Sequence, residues 1–222
     1  MASPRIALIS ALRLSLEPIC DSFIRLWPEA DRVNILDDSL SVDRTADGQL
    51  TETMMERFVE LSKYAVKFAR ADAILFTCSA FGQAIENVAK LLDIPVLKPN
   101  EAMIEAATSL GKPIGLLATF GPTLESMLNE FPEALDVETQ LASGALEAAD
   151  AGNFTEHDRL AAIAALGFSK GRVIALAQFS LARAAPAIAR ATGATVLTTP
   201  DCAVMALRRR LGPDAIDSGL LY

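Results

Sequence analysis

Histidine is the scarcest reactive residue of this chain, with one in 222 residues, and there are only three cysteines. A Ser-His-Asp triad needs a histidine of its own, and zinc sites draw on cysteines and histidines at close spacing. Cys20, Cys78 and Cys202 lie far apart in the sequence, so no metal site is predicted. An odd number of widely spaced cysteines also disfavours a disulfide framework and favours reduced thiols, which indicates a cytoplasmic protein.

Long hydrophobic runs and an excess of positive charge are lacking as well. No segment reaches the roughly 18 consecutive apolar residues of a membrane span. The N-terminus passes directly into a strand-like run, so no signal peptide is expected. Asp and Glu number 28 against 20 Lys and Arg, which gives a net charge of −8. An acidic chain is a poor partner for nucleic acid or for an anionic membrane surface, so neither partner is predicted.

What the chain does have is apolar sequence, at 51% hydrophobic residues, which is ample for a core. Short apolar segments alternate with amphipathic helical patterns such as Leu50–Arg70, Pro122–Glu130 and Glu156–Leu166. Continuous apolar strands are typical of parallel sheets that helices cover on both faces, so an α/β fold is predicted. The predicted strands are Ile6–Ser10, Val33–Leu36, Ala73–Thr77, Val96–Leu97, Ile114–Ala118, Leu135–Glu138, Val173–Ala177 and Thr195–Leu197.

Two parts of the sequence also resemble each other. Ile6-Ala-Leu-Ile-Ser-Ala-Leu aligns with Ile114-Gly-Leu-Leu-Ala-Thr-Phe at an offset of 108 residues, and Ala73-Ile-Leu-Phe-Thr-Cys aligns with Val173-Ile-Ala-Leu-Ala-Gln at an offset of 100. Two matches in the same order and at nearly the same offset favour a duplicated α/β unit. The alternative is that any two strand-to-helix segments look alike.

The duplication predicts two parallel-sheet halves that are flanked by helices and related by pseudo-symmetry. The first half is expected to comprise residues 1–100 and 200–222, with the C-terminal helix returning to it, and the second half residues 101–199. Ligands of open α/β sheets bind beyond the carboxyl ends of the strands, so an active-site cleft is expected between the halves.

Cys78 stands between an apolar strand and a predicted helix, in Phe76-Thr-Cys-Ser-Ala-Phe-Gly. Backbone N–H groups at a helix start are unpaired and partly positive, so they can stabilise a thiolate or bind a carboxylate. Thr77 and Ser79 add hydroxyl groups on either side. Cys78 is therefore the leading candidate for a catalytic residue, against the alternative of a small buried hydrophobic residue.

This motif, the internal repeat and the turn that follows Ile114 together resemble the aspartate/glutamate racemase superfamily, which includes hydantoin racemases, maleate isomerases and arylmalonate decarboxylases. The resemblance covers nearly the whole chain. It implies two α/β domains that hold a small carboxylate or amino-acid-like substrate between them, without metal, pyridoxal phosphate or another cofactor. It also implies two cysteines on opposite faces of an acidic carbon, one removing a proton and the other returning one.

Transferred to this chain, the resemblance makes Cys78 the first cysteine, with Thr77, Ser79 and Thr119 as carboxylate-binding residues. The strand-end loops supply three further candidates for substrate binding: Ser10, Phe120 and Thr199. Related enzymes often dimerise, so a homodimer is one expectation.

The second cysteine of the family pattern is missing, because the repeat puts Gln178 at the place equivalent to Cys78. Glutamine cannot exchange a proton near neutral pH, but it can donate a hydrogen bond to an enolate or carboxylate oxygen. Cys202, at the start of the next helix, is the other candidate thiol, and packing in the first turn of that helix is its alternative role.

The expected function is therefore a cofactor-independent racemase or epimerase that works by cysteine acid/base chemistry, with Cys78, Cys202 and Gln178 as catalytic candidates. A one-cysteine decarboxylase or cis–trans isomerase is the alternative that Gln178 favours, and a binding protein without turnover is a third. His157 is expected to be a surface residue at a helix start, with Thr155 and Asp158 as capping residues.

Overall fold

The computed structural model describes residues 3–211, and these form two compact units, each built on its own parallel sheet. One unit is Asn100–Cys202, and the other comprises the chain up to Pro99 together with the residues from Ala203 onward. Each sheet has four strands. Of the C-terminal return expected for residues 200–222, the part beyond residue 211 lies outside the described residues.

The first unit contains four strands, in the spatial order β2-β1-β3-β4, and its helices connect them. Its elements are β1 (Arg5–Ser10), α1 (Leu16–Leu26), β2 (Asp31–Leu36), α2 (Ser39–Asp47), α3 (Glu52–Lys67), β3 (Ala73–Phe76), α4 (Gly82–Leu91) and β4 (Val96–Leu97), with single 3-10 turns at Arg13–Ser15 and Ser79–Phe81.

The second unit repeats this order as β6-β5-β7-β8. Its elements are α5 (Glu101–Ser109), β5 (Ile114–Ala118), α6 (Gly121–Leu128), β6 (Val137–Leu141), α7 (Ala145–Asp150), α8 (Phe154–Ala165), β7 (Val173–Leu176), α9 (Ala185–Thr192), β8 (Val196–Thr198) and α10 (Thr199–Leu211), with a 3-10 turn at Ser180–Ala184. The division between the units falls within α10.

The registers of the two sheets agree with the internal repeat of the sequence. Ile6 of β1 pairs with Ala73 of β3, and Ile114 of β5 pairs with Val173 of β7. These partners are the same residues that align at offsets of 108 and 100. Each unit is therefore a copy of one arrangement, and the predicted parallel α/β fold is confirmed.

The central strands are buried because helices cover both faces of each sheet. Every residue of β3, β5 and β7 is buried, whereas the edge strands β2 and β6 alternate between half-buried and exposed residues. The expectation of uniformly apolar strands therefore holds at the centre and fails at the edges, where one side of the strand meets solvent. No helix within residues 3–211 combines the length and apolar character needed to cross a bilayer.

Local signals explain where the flanking helices begin and end. The Thr51 hydroxyl accepts a hydrogen bond from Met54 N at 3.3 Å and starts α3, and Asn153 Oδ1 accepts one from Glu156 N at 3.2 Å and starts α8. Gly48 ends α2 at a φ of +65°, a backbone conformation that favours glycine. The capping role expected for Thr155 and Asp158 thus belongs to Asn153.

His157 is not a surface residue, and that expectation was wrong. It is 1% exposed, on the face of α8 that also buries Ala161 and Ala165. Its Nδ1 lies 2.8 Å from Asp158 Oδ1, so the ring nitrogen is buried with a partner. The position of His157 at a helix start predicts exposure, but neighbouring elements of the second unit pack against α8.

Candidate functional site

In the first unit, the carboxyl ends of β1 and β3 bring two hydroxyl side chains together. Thr77 Oγ1 donates to Ser10 Oγ at 2.8 Å, and both residues are buried. The backbone continues the ladder there, because Thr77 N donates to Ile9 O at 3.1 Å. The two hydroxyl groups therefore hold each other in fixed positions, and Thr77 directly precedes Cys78 in the sequence.

Cys78 follows Thr77 in an extended conformation, with φ −127° and ψ 120°. It is half-buried and packs with the apolar cluster that contains Ile74, Phe76 and Phe81. The helix does not begin at Cys78 itself, since one 3-10 turn, Ser79–Phe81, precedes α4. The thiol is thus close to a helix start but separated from it by that turn.

Aromatic packing fixes the turn after Cys78. The Phe81 ring lies 4.8 Å from the Phe58 ring, and Phe58 lies 5.2 Å from Phe76. All three side chains are almost fully buried. Phe81 therefore anchors the far end of the turn in the core, and Ser79 remains half-exposed between the anchor and the thiol.

In the second unit, the carboxyl ends of β5 and β7 join Thr119 to Gln178. Gln178 Oε1 accepts hydrogen bonds from Thr119 N at 2.7 Å and from Thr119 Oγ1 at 2.9 Å. A backbone N–H can only donate, so this contact identifies the oxygen end of the amide. Nε2, with two N–H groups, is the end of Gln178 that can donate to a ligand.

Cys78 and Gln178 occupy equivalent places in their units. Each comes two residues after the last residue of the third strand of its unit, Phe76 in β3 and Leu176 in β7. The matched registers of the two sheets make this equivalence a property of the backbone. One unit therefore presents a thiol where the other presents a carboxamide.

The segment after Gln178 is held by polar contacts that sequence reasoning missed. Arg183 Nε donates to Asp158 Oδ1 at 3.0 Å, and its guanidinium lies 4.2 Å from the centre of the Phe154 ring. The same carboxylate oxygen contacts His157. Arg183 and Asp158 stand 25 residues apart in the sequence, and no local motif links them.

The remaining candidates of the second unit differ in exposure. Thr199 is fully buried, and its Oγ1 donates to Leu176 O at 3.4 Å. Phe120 precedes α6 and is 49% exposed. Thr199 is thus engaged in holding β7, whereas Phe120 is accessible.

Cys202 lies in the first turn of α10 and is half-buried. It packs against the apolar cluster that includes Met103, Ala175 and Ala177. Leu176, between those two alanines, packs in the other cluster of the unit, on the opposite face of the sheet. Cys202 therefore contacts the apolar core on one face of the sheet, and this contact favours the packing role for its side chain.

Charged groups near the strand ends of the first unit are paired with one another. Arg57 of α3 contacts Asp37 Oδ2 and Asp43 Oδ2, each at 2.5 Å. Burial alone would raise the pKa of Asp37, but hydrogen bonds from Ser39 and Arg57, together with the Arg57 charge, outweigh it and lower that pKa. Within residues 3–211, no three histidine, cysteine, aspartate or glutamate side chains are grouped so that they could hold a metal ion.

Comparisons with known proteins identify a matching family and several similar folds. A family model described as Asp/Glu/Hydantoin racemase matches residues 28–207. The aspartate racemase of Picrophilus torridus is 11% identical, with a TM-score of 0.72 over 95% of each chain. The allantoin racemase of Klebsiella pneumoniae is 16% identical, with a TM-score of 0.69 over 97% of this chain and 91% of that one.

A third solved structure, an unliganded arylmalonate decarboxylase, is 16% identical, with a TM-score of 0.64 over 96% of this chain and 95% of that one. At these identities the three structures share the fold with this chain. No curated protein sequence is significantly similar to it.

Proposed function

The chain belongs to the Asp/Glu/hydantoin racemase family, as its sequence resemblance predicted, and on that premise we propose that it is an enzyme that transfers a proton at the carbon beside a carboxylate. Cys78 is the proton-transferring group. The substrate is a small carboxylate or amino-acid-like molecule, and the reaction needs no cofactor, as the resemblance implies. The position of Cys78 at the carboxyl end of β3, two residues after Phe76, carries this proposal.

The surroundings of Cys78 support a role in acid/base chemistry. The bonded hydroxyl groups of Ser10 and Thr77 fix the backbone that leads to the thiol, and buried Phe81 fixes the turn that follows it. A catalytic group must be held close to its productive geometry, so this rigidity favours function over simple packing. Ser79 and the backbone N–H groups of the turn are proposed to bind the substrate carboxylate.

Gln178 makes a reaction with one thiol the better candidate. A carboxamide does not take up or release a proton near neutral pH, but Nε2–H can stabilise an enolate or carboxylate oxygen. Cys202 packs with Met103 on the face of its sheet opposite Leu176. Protonation after decarboxylation, or cis–trans isomerisation, therefore fits the chain better than a two-thiol racemisation.

Racemisation is the second candidate function, because the family model and two of the similar structures are named for it. It requires a competent acid or base on each face of the carbon. Cys202 is then the thiol left to serve the second face.

Proton exchange on a panel of chiral α-substituted carboxylates in D₂O distinguishes the two reactions. With one thiol, deuterium enters on one face and optical activity is retained. With two thiols, deuterium incorporation and loss of optical activity proceed together. Cys78→Ser should abolish turnover in both cases. Cys202→Ser should abolish racemisation in the two-thiol reaction, with exchange left only on the face that Cys78 serves, and should leave the one-thiol reaction nearly unchanged.

The matched control is Cys20→Ser, since Cys20 lies in α1 beside Asn34, away from the candidate residues. Full activity of Cys78→Ser on a turned-over substrate would overturn the proposal. Ligand binding without any exchange or turnover would identify a binding protein instead.

A further inference from the structure

Both units carry a large exposed apolar side chain at the same place beside their candidate residues. Leu12 follows β1 and is 41% exposed, and Phe120 follows β5 and is 49% exposed. The two positions differ by 108, the offset that aligns β1 with β5. Both residues have extended backbones, at φ −141° and −133°, so the correspondence extends to conformation.

Leu12 and Phe120 are much more exposed than the residues that directly precede them. Ala11 is 2% exposed and Thr119 is 7% exposed. An isolated exposed leucine or phenylalanine needs no explanation in a folded protein. Two at equivalent positions, each within two residues of a hydroxyl group at a strand end, indicate a shared role at those ends.

The loops at the same strand ends also contain few positive charges. In the second unit, the loops 119–123, 142–144, 177–181 and 199–202 contain no lysine or arginine, and Asp201 is their one charged residue. In the first unit, the corresponding loops 10–15, 37–38, 77–81 and 98–100 contain two cations, Arg13 and Lys98. Arg13 pairs with Asp38 at 2.8 Å, and Lys98 pairs with Glu86 at 2.9 Å.

A substrate with an acidic side group would therefore compete with Asp38 and Glu86 for these two cations. Desolvating an ionised carboxylate without a counter-charge is costly, whereas an apolar group gains by covering exposed leucine or phenylalanine. The chemistry of these loops thus favours one kind of side group and opposes the other.

We infer that the side group on the reacting carbon of the substrate is uncharged and apolar, and that Leu12 contacts it at the Cys78 end of the first unit. This inference rests on the proposed function, since it describes the substrate of the same site. It separates this chain from enzymes whose substrates carry an acidic side group. An aryl or branched alkyl group on a small carboxylate is the class expected.

Protection of Cys78 from alkylation tests the inference without knowledge of the substrate. The full chain is treated with iodoacetamide in the presence of phenylacetate or of succinate, and Cys78 is followed by peptide mass spectrometry. Phenylacetate should protect at a lower concentration than succinate. Leu12→Ala should raise the protecting concentration of phenylacetate by roughly three- to tenfold, as expected for partial loss of apolar contact. Leu12→Arg should reverse the preference in favour of succinate.

Leu91→Ala is the matched control, because Leu91 is 59% exposed at the far end of α4, and it should leave protection unchanged. Succinate protecting the unmodified chain better than phenylacetate would overturn the inference while leaving Cys78 as the proposed catalytic residue. Equal protection in the Leu12 and Leu91 variants would also overturn it. Protection by neither compound, together with an active Cys78→Ser variant, would remove the proposed function as well.

Discussion

Thr119 orients Gln178, because its backbone N–H and its hydroxyl both donate to the same amide oxygen. Thr119 is 7% exposed, so the pair is largely shielded from water. The resemblance to the racemase superfamily implies that Thr119 binds a carboxylate. Its observed contacts favour a positioning role, in which Thr119 acts on the substrate through Gln178.

A double-mutant cycle on this pair separates the two roles. Gln178→Ala should lower the rate by about 10², the cost of losing an oxyanion donor. Thr119→Val keeps the N–H contact and loses the hydroxyl, so it should cost less, roughly three- to tenfold. If Thr119 acts through Gln178, the double variant should be no slower than Gln178→Ala alone. Additive losses in kcat/KM would instead indicate that Thr119 binds substrate directly.

The sequence predicts the places of these residues better than their contacts. Gln178 was located by its alignment with Cys78, since the apolar strands before them fix the register. Its bond to Thr119 joins residues 59 apart, and no local pattern encodes such a pair. The burial of His157 escaped prediction for the same reason, because helix packing in three dimensions decides it.

At the scale of elements, Arg57 holds the segment between β2 and α3 in place. Arg57 contacts Asp37 directly after β2 and Asp43 in α2, and Nη2 also reaches Ser39. Asp37 N donates to Ser10 O at 3.0 Å, so the fastened segment adjoins the strand end that leads to the candidate hydroxyl pair. Arg57 thereby couples α2 and α3 to the carboxyl edge of the sheet.

Arg57→Met should lower the free energy of unfolding at pH 7 by about 1 kcal/mol, given the partial exposure of the network. The pKa of Asp37 is lowered in the folded chain. Its contribution is therefore fully present above the ordinary pKa of an aspartate and is lost as the pH falls through the lowered value. The difference between variant and unmodified chain should shrink on acidification toward pH 3.

Urea unfolding at several pH values measures this difference. Arg159→Met serves as the control, because Arg159 pairs with Glu156 on the exposed surface of α8 and should have a smaller effect. A stability loss for Arg57→Met that is the same at pH 3 and pH 7 would show that the ion pairs contribute nothing specific.

The edge strands show which elements are harder to predict. The apolar run predicts a strand at Leu135–Glu138, but β6 is Val137–Leu141, because Leu135 N closes a turn on Pro132 O at 3.0 Å. Glu138 and Gln140 are polar residues of an edge strand, so hydrophobicity does not mark its end. The buried central strand β5, Ile114–Ala118, was predicted with its exact bounds.

At the scale of the whole molecule, the chain leaves the first unit after Pro99 and returns to it from Ala203 onward. The returning half of α10 buries Val204 and Leu207 completely. Arg208 Nη1 also donates to Leu26 O at 2.8 Å, at the end of α1. The first unit is thus completed by residues that follow the entire second unit in the sequence.

Leu207→Ala should therefore destabilise the first unit by about 2–4 kcal/mol, the usual cost of emptying a buried leucine site. Met205→Ala, at a residue 39% exposed in the same helix, should cost less than about 0.5 kcal/mol. Hydrogen exchange measured by mass spectrometry should show faster exchange in β1 and β3 and smaller changes in β5 and β7. Faster exchange confined to β5 and β7 would contradict the assignment of this half of α10 to the first unit.

The two rarest side chains of the sequence fall one in each unit. The sole tryptophan, Trp27, is buried in the first unit beside Phe23, and the sole histidine, His157, is buried in the second. Indole fluorescence of the unmodified chain thus reports on one unit, and the imidazole proton resonances report on the other without any assignment by mutagenesis. Following both signals through one denaturant titration tells whether the units unfold together or in turn.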